Sequence, residues 1–212
     1  MIARPQLLAG EDLPRPPSQK RSIDKRERLK TAALAVFGEK GFERASIEEI
    51  ASRANLAVGG FYQHYRSKRQ LLLALMDELL EKLSRLELRP KASPDAQVAL
   101  RDLLAAAFSH DLSYLGAYRA WQEAALSDPS LAGKQSEIHI WTTARIRRIF
   151  EMLHQMPNAR QGVDIVTLAR VMDSFFWGLL GQAGQMKKAE LNRWIDMSAH
   201  LIYHAIVADE PV

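Results

Sequence analysis

Residues 46–70 read SIEEIASRANLAVGGFYQHYRSKRQ, and this stretch decides the fold. Ser46-Ile47-Glu48-Glu49 is a capping box: the serine accepts an orphan amide of a starting helix, and Glu49 reaches back. Ile47, Ile50 and Ala51 then fall on one buried face. Asn55 stands where a tight turn is due, and asparagine tolerates left-handed backbone better than most residues. A second short helix follows, with Val58, Phe61, Tyr62 and Tyr65 available for packing or contacts. Ser67-Lys68-Arg69-Gln70 is a second capping box. It opens a long helix with Leu72, Leu75, Leu79, Leu83 and Leu86 on one stripe, ended by Pro90. Upstream, from about Ser22, Leu29, Ala33, Val36 and Phe37 recur at helical spacing, and Gly41 stands where a C-cap is wanted. A supporting helix followed by two short helices around a tight turn is a tri-helical unit that offers its last short helix to the major groove of DNA.

Working outward, residues 1–20 hold Pro5, Pro14, Pro16 and Pro17 without sustained periodicity and read as a flexible tail. On the other side, Ser93-Pro94 is an N-cap followed by proline at the first helical position, which predicts a helix to about Phe108. Further helices are expected near 111–126 and 130–155, separated by Asp128-Pro129 and closed by Pro157. The last two are expected at about 162–182 and 188–208. With no alternating pattern of useful length and no internal repeat, the class is all-α.

The charge is uneven. Residues 1–70 carry fourteen Lys/Arg against eight Asp/Glu, whereas the remainder carries fifteen against seventeen. A basic N-terminal third on a slightly acidic body suits a DNA-binding head. The absence of cysteine excludes disulfides and thiolate zinc sites. No apolar run approaches membrane-spanning length and no secretory h-region is present, so a soluble, cytoplasmic protein without a membrane partner is expected.

The run Phe37-Gly38-Glu39-Lys40-Gly41-Phe42, then Ser46, Ile50-Ala51, and finally Gly59-x-Phe61-Tyr62-x-His64-Tyr65-x-Ser67-Lys68 resembles the TetR family of transcriptional regulators. The resemblance spans about residues 22–75. It implies a helix-turn-helix DNA-binding domain over 21–67 and a helical effector-binding and dimerisation domain over 68–212, with 1–20 as the tail. It also implies that Ser46, Tyr62, His64 and Lys68 hold the phosphate backbone, contacts that position without reading sequence. Sequence reading falls to Val58, Gly60 and Gln63, with Glu48 as a fourth candidate. Gln63 can pair with adenine and Val58 can touch a thymine methyl. The Gly59-Gly60 pair costs about 1 kcal/mol per residue of helix propensity relative to alanine, which points to a close approach of the backbone to DNA. The sequence departs from the family at Ala57, where a serine or threonine is usual, and at Asn55, where glycine is common.

In such a regulator the last two helices pair with their copies. Ile165, Leu168, Met172, Phe175, Phe176 and Leu179 on the first, and Trp194, Ile195, Ser198, Leu201, Ile202 and Ala205 on the second, are the expected homodimer interface. Two-fold pairing places the reading heads about 34–36 Å apart, on a near-palindromic operator. The middle helices are where the family holds an effector. Phe108, Tyr114, Tyr118, Trp121, Trp141 and Arg145 are the expected contacts to a small, mostly apolar molecule.

His200 and His204 have the i, i+4 spacing of a metal pair, but no nearby carboxylate or cysteine completes a site, so no metal and no cofactor is expected. No nucleophile–base–orienter set is found, so an enzyme is not expected. Two readings stay open: a ligand-responsive repressor released from double-stranded DNA by its effector, and a helical small-molecule-binding protein that has lost specific DNA binding.

Overall fold

The computed structural model describes residues 3–15, 18–86 and 95–208. Among these the chain is all-α. Its helices are α1 (Lys20–Lys40), α2 (Ile47–Arg53), α3 (Val58–Tyr62), α4 (Lys68–Ser84), α5 (Ala96–Leu112), α6 (Leu115–Ser127), α7 (Pro129–His154), α8 (Ile165–Ala183) and α9 (Lys188–Ile206). One isolated bridge, Ala159 to Val207, is the extended pairing found among the described residues.

Local signals set most of the boundaries. Gly41 ends α1 with φ 77°, and its amide bonds the carbonyl of Phe37. Asn55 takes φ 54°, the left-handed turn its side chain favours. The Asp128 carboxylate accepts from the amides of Ser130 and Leu131, so Pro129 begins α7 where a missing N–H costs nothing. The N-cap of α5 is Asp95, which accepts from the amides of Gln97 and Val98. The expected start at Ser93-Pro94 and the stop at Pro90 lie outside the described residues. Helix α5 also continues to Leu112, and the helix expected near 111–126 begins only after the break at Ser113 and Tyr114.

The chain divides into two compact units that do not follow the partition at residue 67. Among the described residues, the first comprises 4–15, 18–81 and 114–136, and the second comprises residue 3, 82–86, 95–113 and 137–208. In the first, Leu29, Ala33, Val36 and Phe37 of α1 are fully buried, along with Ile50, Phe61, Tyr65 and Leu71–Leu73. Helix α6 packs along α1, and Gly38 and Gly116 permit the approach: a Cβ at Gly116 would collide with the Leu34 carbonyl. Polar contacts lace the same unit. Tyr114 Oη donates to Glu78 at 2.8 Å, and Lys30 Nζ lies 2.5 Å from the other Glu78 oxygen.

The segment expected to be a loose tail runs against α4. Arg4 pairs with Asp77 at 2.8 Å and Glu81 at 3.2 Å, and Leu7 is fully buried. Buried Pro5 and Leu7, with the arginine anchor at residue 4, hold what composition alone leaves free.

In the second unit α5 packs on α9, and Phe108, Trp141, Phe150, Leu179, Ile195 and Ile202 are buried. Asp173 on α8 is buried but satisfied: His139 Nδ1 lies at 2.6 Å and Thr142 Oγ1 at 2.5 Å. Among the described residues no helix is long and apolar enough to cross a membrane.

Candidate nucleic-acid interface

The interface is built on the turn that joins α1 to α2. Two side chains of opposite charge hold its backbone. Lys68 Nζ donates to the carbonyls of Phe42 (2.8 Å), Glu43 (3.1 Å) and Ala45 (3.1 Å), and it lies 4.6 Å from the centre of the Phe42 ring. The Glu123 carboxylate, from α6, accepts from the amides of Phe42 (2.6 Å) and Glu43 (3.3 Å). Arg119 adds a bond to the carbonyl of Gly38 at 2.6 Å. All three donors of the Lys68 ammonium are therefore occupied within the chain, where sequence reading gives it to a phosphate.

Helix α2 leaves this turn with Ser46 as its N-cap, the hydroxyl accepting from the Glu49 amide at 3.2 Å. Only half of the expected capping box forms. Glu49 turns instead to Lys40 (2.8 Å) and Arg53 (3.1 Å), and Arg53 also reaches Glu39 (2.5 Å). Hydrogen bonding from Lys40, reinforced by Arg53, holds the Glu49 carboxyl below its ordinary range. These pairs pin α2 to the end of α1. The second box is displaced by one residue: Gln70 accepts from the Arg66 amide at 2.9 Å, while its own amide donates to Ser67 at 3.2 Å.

Helix α3 rests on Phe61, whose buried ring touches Tyr62 and Tyr65 at 5.6 and 6.0 Å between centroids. Outward of that anchor, Tyr62 is 49% exposed, Gly59 and Gln63 are exposed, and Val58 and Gly60 are half-buried. Glu48 is exposed on α2 and Ser46 half-buried at its start. The start of α3 lacks a side-chain cap, as Ala57 predicts. A Cβ built on Gly59 meets nothing within 4 Å, so packing within this chain does not require glycine there.

His64 departs from the expected outward role. It is buried, its Nε2 meets no hydrogen-bond partner, and burial, with the charges of Arg26 and Lys25, pushes its pKa down. An imidazole in that position supports α3 from below. Tyr65 beside it accepts from Arg26 Nε at 3.1 Å, a residue the motif does not single out. Arg66, also passed over, is 55% exposed and pairs with Asp12 at 2.8 Å. Its signal was present, a basic residue between Tyr62 and Lys68. Glu123 gave none, since its partners lie 80 and 81 positions away.

The expected effector residues are divided between the units. Tyr114, Tyr118 and Trp121 are buried in the first, and the indole N–H of Trp121 meets no partner. Phe108, Trp141 and Arg145 are in the second. Phe108 packs edge-on to Phe176 at 5.6 Å. Arg145 lies over Trp141 at 4.9 Å and caps the end of α4 through the carbonyls of Leu83 (2.7 Å) and Leu86 (3.4 Å).

Among the described residues, the second unit includes two open hollows, each of about 350 Å³. One is lined by His139, Ile140, Thr143, Ala144, Arg147, Val166 and Arg170. The other lies on the expected dimer face, lined in part by Phe175, Trp194, Met197, Ser198 and Leu201. On that face Val171, Trp194, Met197 and Leu201 are exposed, and Phe175 stacks on Trp194 at 6.0 Å. Ile165, Leu168, Met172, Phe176 and Ala205 are half-buried, whereas Leu179, Ile195, Ser198 and Ile202 face their own core. The rings of His200 and His204 lie 4.3 Å apart, tilted by 54°, and among the described residues no group of three His, Cys, Asp or Glu is placed to hold a metal ion.

Residues 29–75 match the family described as bacterial regulatory proteins of the tetR family. The A-factor receptor protein of Streptomyces griseus is 37% identical over 76 residues, 36% of this chain and 26% of that protein. The HTH-type transcriptional repressor KstR of Mycolicibacterium smegmatis is 32% identical over 60 residues, 28% of this chain and 29% of that protein. The matched region spans only 18%, 26% and 31% of the first three curated relatives. The fold extends further. The ketosteroid regulator KstR2 of Mycobacterium tuberculosis superposes with a TM-score of 0.66 over 87% of this chain and 96% of its own, at 17% identity. The fatty acid degradation regulator FadR of Bacillus halodurans gives 0.65 over 84% and 94%, at 16% identity. The resemblance carried by residues 37–68 is thus met by family, by curated relatives and by fold.

Proposed function

We propose that this chain, whose residues 29–75 match the TetR family of transcriptional regulators, is a cytoplasmic, ligand-responsive repressor that binds a near-palindromic operator as a homodimer. The observation that carries the reading is the face of α3. Tyr62 at the end of α3 and Gln63 at its C-cap stand exposed, anchored by the buried Phe61 and His64, beside a Gly59 whose absent side chain has open space around it. An exposed phenol and amide on a rigid short helix suit phosphate and base edges respectively. Val58, Gly60, Ser46 and Glu48 complete the face. Lys68 acts by fixing the turn before α2, and His64 by supporting α3. The reading that DNA binding has been lost would leave no reason to keep this face polar and open.

The second copy joins through Val171, Phe175, Trp194, Met197 and Leu201, an apolar patch that water disfavours. The effector is a small, mostly apolar molecule, in keeping with the buried aromatic residues Phe108 and Trp141 of the second unit. It releases DNA by favouring one of two arrangements of the reading heads.

The test incubates the protein with sheared genomic DNA of its source and sequences the retained fragments, beside a Tyr62→Phe, Gln63→Ala variant. Both positions are exposed, so the fold is left intact. Enrichment of a near-palindromic site by the parent alone is the expected result. No enrichment at low salt from a folded dimer refutes the reading.

A further inference from the structure

The N-terminal segment carries acidic residues onto the basic end of α4, next to the DNA-facing helix. Leu7 is buried and Arg4 is paired with Asp77 and Glu81, so the segment is held at its start. Further along, Glu11 meets Arg69 at 2.7 Å. That pair is largely enclosed, and Arg69 is also tied to Asp128 (2.8 Å) and Ser130 (3.0 Å), which makes it part of the scaffold. Asp12 and Arg66 differ. Both are open to solvent, at 83% and 55%, and their ion pair is 2.8 Å long.

Arg66 lies four residues beyond Tyr62 and immediately before the serine that caps α4. A guanidinium in this place matches a phosphate oxygen as well as it matches a carboxylate. We infer that Arg66 is a further DNA-phosphate contact and that Asp12 occupies it as a phosphate mimic in the free protein. The inference rests on the proposed DNA-binding reading. Binding then exchanges one anion for another on the same guanidinium, so Asp12 lowers affinity for every duplex alike and leaves sequence preference untouched.

The anchor and the charge of this segment are separable. The Asp12 carbonyl accepts from Gln70 Nε2 at 3.0 Å and from Arg66 Nε at 3.1 Å. Asp12→Asn keeps both bonds and removes only the negative charge.

The experiment measures binding of the full chain to a labelled mixed-sequence duplex across a salt series, for the parent, Asp12→Asn, Arg66→Ala and the double variant. Asp12→Asn is expected to bind about two- to fivefold more tightly at low salt, the fold-change matching an exposed ion pair. Arg66→Ala is expected to bind more weakly and to lower the salt slope by about 1, the share of one phosphate contact. In the Arg66→Ala background Asp12→Asn is expected to do nothing. Equal binding by Asp12→Asn and the parent overturns the inference. So does a gain that persists without Arg66, which would place Asp12 in the general field instead of on that guanidinium. If the parent itself fails to bind any duplex at low salt, the DNA-binding reading falls and the inference with it.

Discussion

Replacing Gly59 by alanine should move stability and DNA binding in opposite directions. A Cβ at this position meets nothing within 4 Å, so the added methyl disturbs no contact in the free protein. Alanine exceeds glycine by about 1 kcal/mol in a helix interior. Helix α3 has only five residues and Gly59 is its second, so about half of that is expected. For a chain of this size about 0.5 kcal/mol corresponds to a rise of about 1–2 °C in Tm. On DNA the same methyl occupies the space through which the backbone approaches the groove. The loss should match that of one spoiled base-pair contact, about 1–3 kcal/mol, which is about 5- to 150-fold in Kd. Differential scanning calorimetry and binding to the enriched genomic fragment supply the two readouts. Gly133→Ala is the control, since that position in α7 is equally open. It should gain stability and bind as the parent does. Unchanged binding by Gly59→Ala, with the stability gain present, would refute the argument that close approach explains the glycine.

Four further outcomes are expected. Gly116→Ala should cost about 1–3 kcal/mol, less the propensity gained, because the clash is with the Leu34 carbonyl and α6 must move; an unchanged urea midpoint contradicts this. Lys68→Met should destabilise by about 2–4 kcal/mol, since three carbonyls lose a charged donor, and a variant as stable as the parent would show the clamp to be idle. His64 has its pKa pushed below the ordinary value of 6.5, so the unfolded chain takes up a proton before the folded one does. The stability this group lends is present above that value and lost as pH falls below it; His64→Gln should flatten that part of the stability profile, and an identical profile speaks against it. Leu201→Asp, at a position 59% exposed, should yield a folded monomer by sedimentation that no longer retains operator DNA, and a persistent dimer would move the interface elsewhere.

The sequence discloses what local chemistry decides. Ser46, Asn55, Gly41 and Pro129 mark ends and turns because each acts on backbone within four residues of itself. Direction is harder to read. Lys68 and His64 stand in the right motif, yet Lys68 is claimed by carbonyls 23 to 26 positions earlier and His64 turns inward. On α8 and α9 apolar residues cover more than one face, so periodicity alone does not separate the inward Leu179, Ile195 and Ile202 from the exposed Trp194 and Leu201. Aromatic composition marks the effector residues but not their use. Tyr114 is bound to Glu78 and Arg145 to the end of α4, and neither bond leaves a trace in spacing.

The place of α6 has a consequence for synthesis on the ribosome. The family likeness ends at residue 75, but the compact unit containing it draws on residues 114–136 as well. Until those residues leave the exit tunnel, the amides of Phe42 and Glu43 lack their carboxylate and the flank of α1 at Gly38 lacks its cover. Chains emerge at about 5–20 residues per second, so the gap between residues 75 and 136 lasts several seconds. A nascent chain stalled within it would hold every residue of the reading head without its final brace, and a fragment cut after α4 would inherit the same deficit permanently.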